Sequence, residues 1–259
     1  MPEAHSQERF QVGLEWGLAG AQASRAAVAV VVDVLSFSTA VCIAVERGMH
    51  VFPYAWRGSE AEVFASRHDA VLAVGRLEAT SAGAPTAPSL SPAGLLVCPP
   101  VPRLVLPSPN GSTIAATLQD ADATVIIGCL RNATAVADRL ASALDRGDTV
   151  VVVAAGERWA RDGSLRPALE DHLGAGAVLS ALVRLGYSGG MSPEASAAVA
   201  VFRAAESHLL DWMTDCVSGR ELIDRGFGSD VEVAAALDVS RTVPVLTGAW
   251  FAVATSSGF

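Results

Sequence analysis

Apolar and polar positions along the chain fall into two alternating patterns. Val28 to Val34 is an almost unbroken β-branched run interrupted by Asp33, as expected of a strand buried on both faces. Ser38 to Arg47 then reads as a helix, stopped by Gly48. The alternation continues. Strands are predicted over His50 to Tyr54, Ala70 to Val74, Arg103 to Leu106, Thr124 to Ile127 and Thr149 to Ala154. Helices are predicted over Glu60 to His68, Ser112 to Gln119, Asn132 to Asp145 and Pro167 to Leu185. This rhythm predicts a layered α/β/α fold around a mostly parallel or mixed sheet. After Gly190 the pattern turns helical, with Pro193 to Ala205, His208 to Asp215 and Gly219 to Arg225. Asp230 to Leu237 fits either element, and Thr242 to Leu246 reads as a returning edge strand.

No strong linker divides the chain. It reads as one α/β domain over 1–259 or as two fused halves, about 1–120 and 121–259. The stretch Thr80 to Pro102 is rich in Ala, Pro, Ser and Gly. A segment that long is either a functional lid or a disordered loop.

Composition narrows the function. The 259 residues are 51% hydrophobic and carry a net charge of −9, with every cation an arginine. No basic stripe is present, which argues against nucleic acid as a partner. Mean hydropathy is +0.39, but the apolar runs are short, far below the roughly 20 residues of a spanning helix. The first 20 residues carry Glu3, Glu8 and Glu15 and no apolar core of a signal peptide. The expectation is a cytoplasmic protein that does not engage a membrane. Cys42, Cys98, Cys129 and Cys216 are widely spaced, so reduced, buried thiols are favoured over a zinc or disulfide framework.

Three strand-to-helix junctions share one design: Asp33 to Thr39, Ser108 to Thr113 and Gly128 to Thr134. Each puts Ser, Thr or Asn where a helix begins, and the free amides and dipole there attract an anion. Ordinary capping explains any one of them. Three together, two with Gly or Arg alongside, point to a shared polar cleft at the carboxyl ends of the strands. Acids stand at comparable places. Asp33 closes the first strand, Glu157 follows the strand ending at Ala154, and Glu170 and Asp171 are flanked by Leu169 and Leu173. Magnesium takes oxygen ligands and needs only one or two carboxylates. Neighbouring acids on a helix do not share one face. The Rossmann, Walker, serine-elbow and HExxH signatures are absent, and the five histidines are scattered.

The ordered set Asp33-Val-Leu-Ser-Phe-Ser-Thr, Pro109-Asn-Gly-Ser, Arg131-Asn-Ala, Ala155-Gly-Glu and Leu169-Glu-Asp resembles the landmarks of the 2-phosphosulfolactate phosphatases. Ser218-Gly-Arg-Glu-Leu, Gly226-Phe, Asp230-Val and Val243-Pro extend the likeness to about Leu246. The resemblance implies an α/β fold of the family's own and magnesium-dependent hydrolysis of the phosphate ester of a 2-hydroxy-3-sulfonate, on a route to coenzyme M. It implies Asp33, Glu170 and Asp171 as catalytic acids, and Asp33, Glu157, Glu170 and Asp171 as the magnesium-binding set. Ser36, Ser38, Thr39, Arg76, Asn110, Gly111, Ser112, Thr113, Arg131 and Asn132 are the candidates for gripping a small anionic phosphate ester. A homodimer is compatible with this reading.

The chain departs from the family in places. Family members carry Arg where Ser36 stands, a further acid where His172 stands, and Asn-Ser-Pro in place of Leu90-Ser91-Pro92. Arg76 is the candidate to restore the lost charge. Direct attack by water and a covalent intermediate through Asp33, a serine or Cys129 both remain open. The competing reading is a non-catalytic protein that binds a small anion on the same fold.

Overall fold

The computed structural model describes residues 7–79 and 88–254. Its centre is a nine-stranded sheet. In chain order the strands are β1 (Val12–Trp16), β2 (Val28–Val32), β3 (His50–Tyr54), β4 (Val71–Leu72), β5 (Arg103–Pro107), β6 (Thr124–Gly128), β7 (Val150–Ala154), β10 (Pro244–Thr247) and β11 (Trp250–Val253). A separate two-stranded hairpin pairs β8 (Glu157–Arg158) with β9 (Leu165–Arg166).

The spatial order is β1-β7-β2-β6-β10-β11-β3-β5-β4. Within it β1, β7, β2 and β6 are mutually parallel, and β3, β5 and β4 form a second parallel block. The β10–β11 hairpin joins the blocks through single antiparallel pairs, Val245 with Ile126 and Phe251 with Val51. The C-terminal strand is therefore an interior bridge and not the edge strand predicted over Thr242 to Leu246. Phe251 is fully buried in the joint, so the hairpin is needed to close the core where neither parallel block covers it.

The layers follow from period-2 alternation in the strands. Val28, Val30 and Val32 point into one core with Val150 and Val152, while Ala29 and Val31 enter another with Val151 and Val153. The first core is covered by α7 (Ala133–Asp145), α8 (Leu169–Arg184), α9 (Pro193–Ala205) and the short helices α10 (Leu209–Asp215), α11 (Val217–Asp224) and α12 (Gly228–Ala235). The second is covered by α2 (Phe37–Glu46), α5 (Pro92–Val97) and α6 (Gly111–Asp120), with α1 (Gly17–Ala23) beside them. The remaining α-helices among the described residues are α3 (Ser59–Arg67) and the single turn α4 (Arg76–Ala79). The fold is the expected α/β/α arrangement. Burial of each strand valine contributes about 1.5–3 kcal/mol to it.

The small residues after Asp171 serve close packing. A methyl group on Gly174 would stand 2.8 Å from Val32 Cγ1 and closer still to Val34, so only glycine lets α8 lie against the end of β2. Two further expectations resolve here. Asp230 to Leu237, ambiguous in sequence, lies mostly within α12. The stretch Thr80 to Pro102 contains α5, capped by Ser91 Oγ, which accepts from the Gly94 amide at 3.0 Å; residues 80–87 of that stretch lie outside the described residues.

Candidate active site

Parallel strands deliver their following residues to one end of the sheet, and four of the expected acids meet there. Asp33 leaves β2 and is buried. Its Oδ1 accepts from the Phe37 amide at 3.2 Å and its Oδ2 from the Gly111 amide at 3.1 Å. Asp171, in the first turn of α8, is bound in the same way. Its Oδ1 accepts from the Val34 amide at 2.7 Å and its Oδ2 from the Gly156 amide at 2.8 Å. Two aspartates thus tie together the ends of β2 and β7 and the starts of α2, α6 and α8. Gly111 is required at this joint, because a methyl group there would lie 2.9 Å from Asp33 Oδ2 and deeper into the Phe37 ring.

Glu157 and Glu170 are less committed. Glu170 is 2% exposed, and its Oε2 faces the Cys216 thiol at 3.5 Å. Glu157 Oε2 accepts weakly from Asn110 Nδ2 at 3.4 Å, and the same amide donates to Gly156 O at 3.2 Å. The electrostatics report the crowding. Burial, then the Glu170 charge against the help of the two amides, lifts Asp33 to about 6. Burial and the charges of Asp33 and Glu170 lift Glu157 to about 7, while Arg166 opposes the rise. Asp171 is pushed well above the usual carboxylate range by burial, Glu170 and Asp33. Burial and Glu170 push the Cys216 thiol up to about 12. Among the described residues, no three Asp, Glu, His or Cys side chains form a ready-made metal cage.

The expected anion-gripping residues divide. Ser112, one residue into α6, has a buried hydroxyl with no hydrogen-bond partner, and Asn110 stands beside Glu157. Arg76 reaches the junction after β2. One of its terminal nitrogens contacts Ser36 Oγ and donates to Leu90 O at 3.2 Å, so a cation does stand over the position where the family carries arginine. Other candidates have their side chains engaged by the backbone. Ser38 Oγ donates to Val31 O at 3.0 Å and accepts from the Asp33 amide at 2.9 Å. Thr39 Oγ1 donates to Val34 O, and Thr113 Oγ1 donates to Pro109 O, each at 2.8 Å. Asn132 clasps its own junction, donating to Ile127 O and Thr242 O while accepting from the Cys129 amide. Arg131 donates to Val233 O at 3.1 Å and approaches Glu46 at 4.0 Å. The third junction therefore closes on itself and adds no donor to the acids.

A family model described as 2-phosphosulpholactate phosphatase matches residues 18–249, nearly the whole chain. The chain belongs to the 2-phosphosulpholactate phosphatase family. No protein of curated function matches it. As a member of that family the chain is a phosphoric monoester hydrolase. Among the described residues, no helix of this phosphatase is long and apolar enough to cross a membrane.

Sequence reasoning missed several residues around the site. Asp230 is completely buried and accepts from Arg76 Nε at 3.1 Å, Ser91 Oγ at 2.5 Å and the Ala93 amide at 3.0 Å. It fastens α4 and the start of α5 to α12. Arg166 lies opposite Glu157 in the β8–β9 register and donates to Ser218 Oγ at 3.2 Å. Its neighbour Arg158 donates to Asn110 Oδ1 at 3.1 Å. The hairpin is only two residues per strand, too short for any periodicity to announce it. His172, at the position where family members carry a further acid, packs its ring 5.6 Å from Trp16, and burial lowers its pKa.

Proposed function

We propose that the chain is a magnesium-dependent phosphatase acting on the phosphate ester of a small 2-hydroxy acid, with 2-phospho-3-sulfolactate or a closely related anion as substrate. The observation that carries this reading is the surplus of negative charge at the strand ends. Burial pushes Asp33, Glu157 and Asp171 upward, and the Glu170 charge adds to the rise of each. Such a cluster gains most from a bound cation.

The donor set fits magnesium. All four groups are hard oxygen ligands, and a magnesium that keeps most of its waters needs only one or two of them, so a preformed cage of three is not required. Glu157 and Glu170 would hold it, since the oxygens of Asp33 and Asp171 already accept four backbone amides. When bound, the cation would neutralise phosphoryl oxygens and polarise the ester phosphorus.

The chain's own groups supply the rest. The unpartnered Ser112 hydroxyl and the start of α6 would donate to the phosphoryl oxygens. Asp33, with a pKa near the working range and one lone pair left on each oxygen, would take the proton of the attacking water. Asp171 would hold the Val34 and Gly156 segments in register so that Asp33 and Glu157 face the same phosphate. Arg76 would meet the charge that spreads over the phosphoryl group.

A non-catalytic anion binder is the rival. Its motive is the cation missing at Ser36, and the contact between Arg76 and Ser36 weighs against it. Phosphate release from a panel of 2-phospho-hydroxyacids, with magnesium and with EDTA, tests the reading. Metal-dependent turnover of at least one of them is expected. Binding without turnover across the panel would leave the rival standing in its place.

A further inference from the structure

The arginine at the junction after β2 is held from several sides. Arg76 opens α4, a single turn of four residues, too short to order a long side chain by itself. Its Nε donates to Asp230 Oδ2 at 3.1 Å, and its Nη2 contacts Ser36 Oγ and donates to Leu90 O at 3.2 Å. The Phe227 ring lies 5.9 Å from its Cζ. Nη1 has no hydrogen-bond partner among the described residues, and the side chain lines a cavity of about 420 Å³.

Asp230 is the rigid end of this clamp. It stands in the first turn of α12, next to the fully buried Val231 and near the equally buried Ala234. Its two oxygens divide their work. Oδ1 accepts from Ser91 Oγ and the Ala93 amide, and Oδ2 accepts from Arg76. A buried ion pair of this kind adds little net stability. What it fixes is direction, because a planar guanidinium gripped at Nε and Nη2 has its plane set. The pair also cancels part of the charge, so Arg76 acts by aim and not as a free cation. Its charge still reaches the acids: burial lifts Asp33 to about 6, and Arg76 opposes the rise.

We propose that Asp230 is a positioning residue of the reaction, working through Arg76 by holding Nη1 toward the phosphoryl group beside Asp33. The inference rests on the phosphatase reading and adds a carboxylate that touches neither substrate nor metal. An arginine whose rotamer is set in advance loses less freedom as charge spreads over the phosphoryl oxygens, and small misalignments cost rate steeply.

The test is a double-mutant cycle on kcat/KM for 2-phospho-3-sulfolactate in the full-length chain. Asp230→Asn can keep Oδ1 for Ser91 and Ala93 while turning an NH2 group toward Arg76 Nε. It should lower kcat/KM at least about 10-fold, mainly in kcat. In the Arg76→Gln chain the same change should cost less than about 2-fold. Ser91→Ala removes the cap of α5 and leaves Oδ2 with Arg76, so it should lower Tm and leave kcat/KM unchanged. Unchanged kcat/KM in Asp230→Asn, a full further loss in the Arg76→Gln background, or an equal loss in Ser91→Ala overturns the assignment. Should Asp230→Asn not fold, guanidinium rescue of Arg76→Ala decides. The seat on Asp230 should let added guanidinium raise the rate at least about 10-fold, and absence of rescue overturns the proposal. Should the unaltered chain hydrolyse no phosphate ester, the phosphatase reading fails and calorimetric titration with inorganic phosphate reads the positioning of Arg76. Binding about 10-fold weaker in Asp230→Asn, with no further loss when Arg76→Gln is added, upholds it, and equal or absent binding refutes it.

Discussion

Replacing Asp33 by Asn separates its chemical part from its structural part. Asparagine keeps the shape and one acceptor, but it cannot ionise and cannot accept a proton. The rise of the Asp33 pKa from 3.8 to about 6 corresponds to about 3 kcal/mol. The folded state holds this proton more tightly than the unfolded chain does. The resulting stability is therefore complete below pH 3.8 and is lost as pH rises through about 6. About 2 kcal/mol of that loss falls between pH 4.5 and 7.5. Asp33→Asn lacks this titration, so in EDTA its stability relative to the unaltered chain should improve by about 2 kcal/mol over that interval. The offset is one amide, Phe37 or Gly111, which would face an NH2 group at a cost of about 1–3 kcal/mol. Urea unfolding at the two pH values reads both quantities, and phosphate release reads the chemistry. We expect the variant within about 2 kcal/mol of the unaltered chain at pH 7.5, with phosphate release down at least about 100-fold. Full activity would remove Asp33 from the reaction. A variant that gains nothing on the unaltered chain from pH 4.5 to 7.5 would refute the burial argument.

Other expectations follow from the same geometry. Magnesium should raise the melting temperature more at pH 8 than at pH 5.5, because it competes with the protons that Asp33 and Glu157 hold with pKa values of about 6 and 7; scanning calorimetry with and without EDTA checks the difference. Gly111→Ala should cost about 1–3 kcal/mol and cut phosphate release, because the new methyl group must push Phe37 or Asp33 away. Asp230→Ala should destabilise by about 3–5 kcal/mol, since it strands Arg76 and the donors of Ser91 and Ala93, and limited proteolysis should then cut between residues 75 and 95.

The sheet was largely legible because its strands are buried on both faces. Val28 to Val32 and Val150 to Val153 need no long-range information to be recognised as strands. The acids at their ends were legible for the same reason: a carboxylate directly after such a run has few places to go. What stayed hidden depended on contacts across the chain. Val12 to Trp16 contains Gly13 and Glu15 and becomes a strand by pairing with β7. Thr242 to Leu246 was visible as a strand, but its interior place depended on which blocks it joins. Arg158 and Arg166 gain meaning from a hairpin with two residues per strand, and Asp230 from a segment more than 130 positions away in sequence. Ser38, Thr39 and Asn132 were over-read because side-chain capping and anion binding draw on the same residue types, and here the backbone claimed them.

The structural part played by Asp33 and Asp171 changes how related chains should be judged. Each carboxylate is a rivet between segments that would otherwise leave amides stranded in an apolar core, so it is worth keeping even in a molecule that no longer turns over anything. Their presence vouches for architecture. Glu157 and Glu170 hold little of the frame together, and a homologue bearing Gln at both would be expected to fold normally and do no hydrolysis.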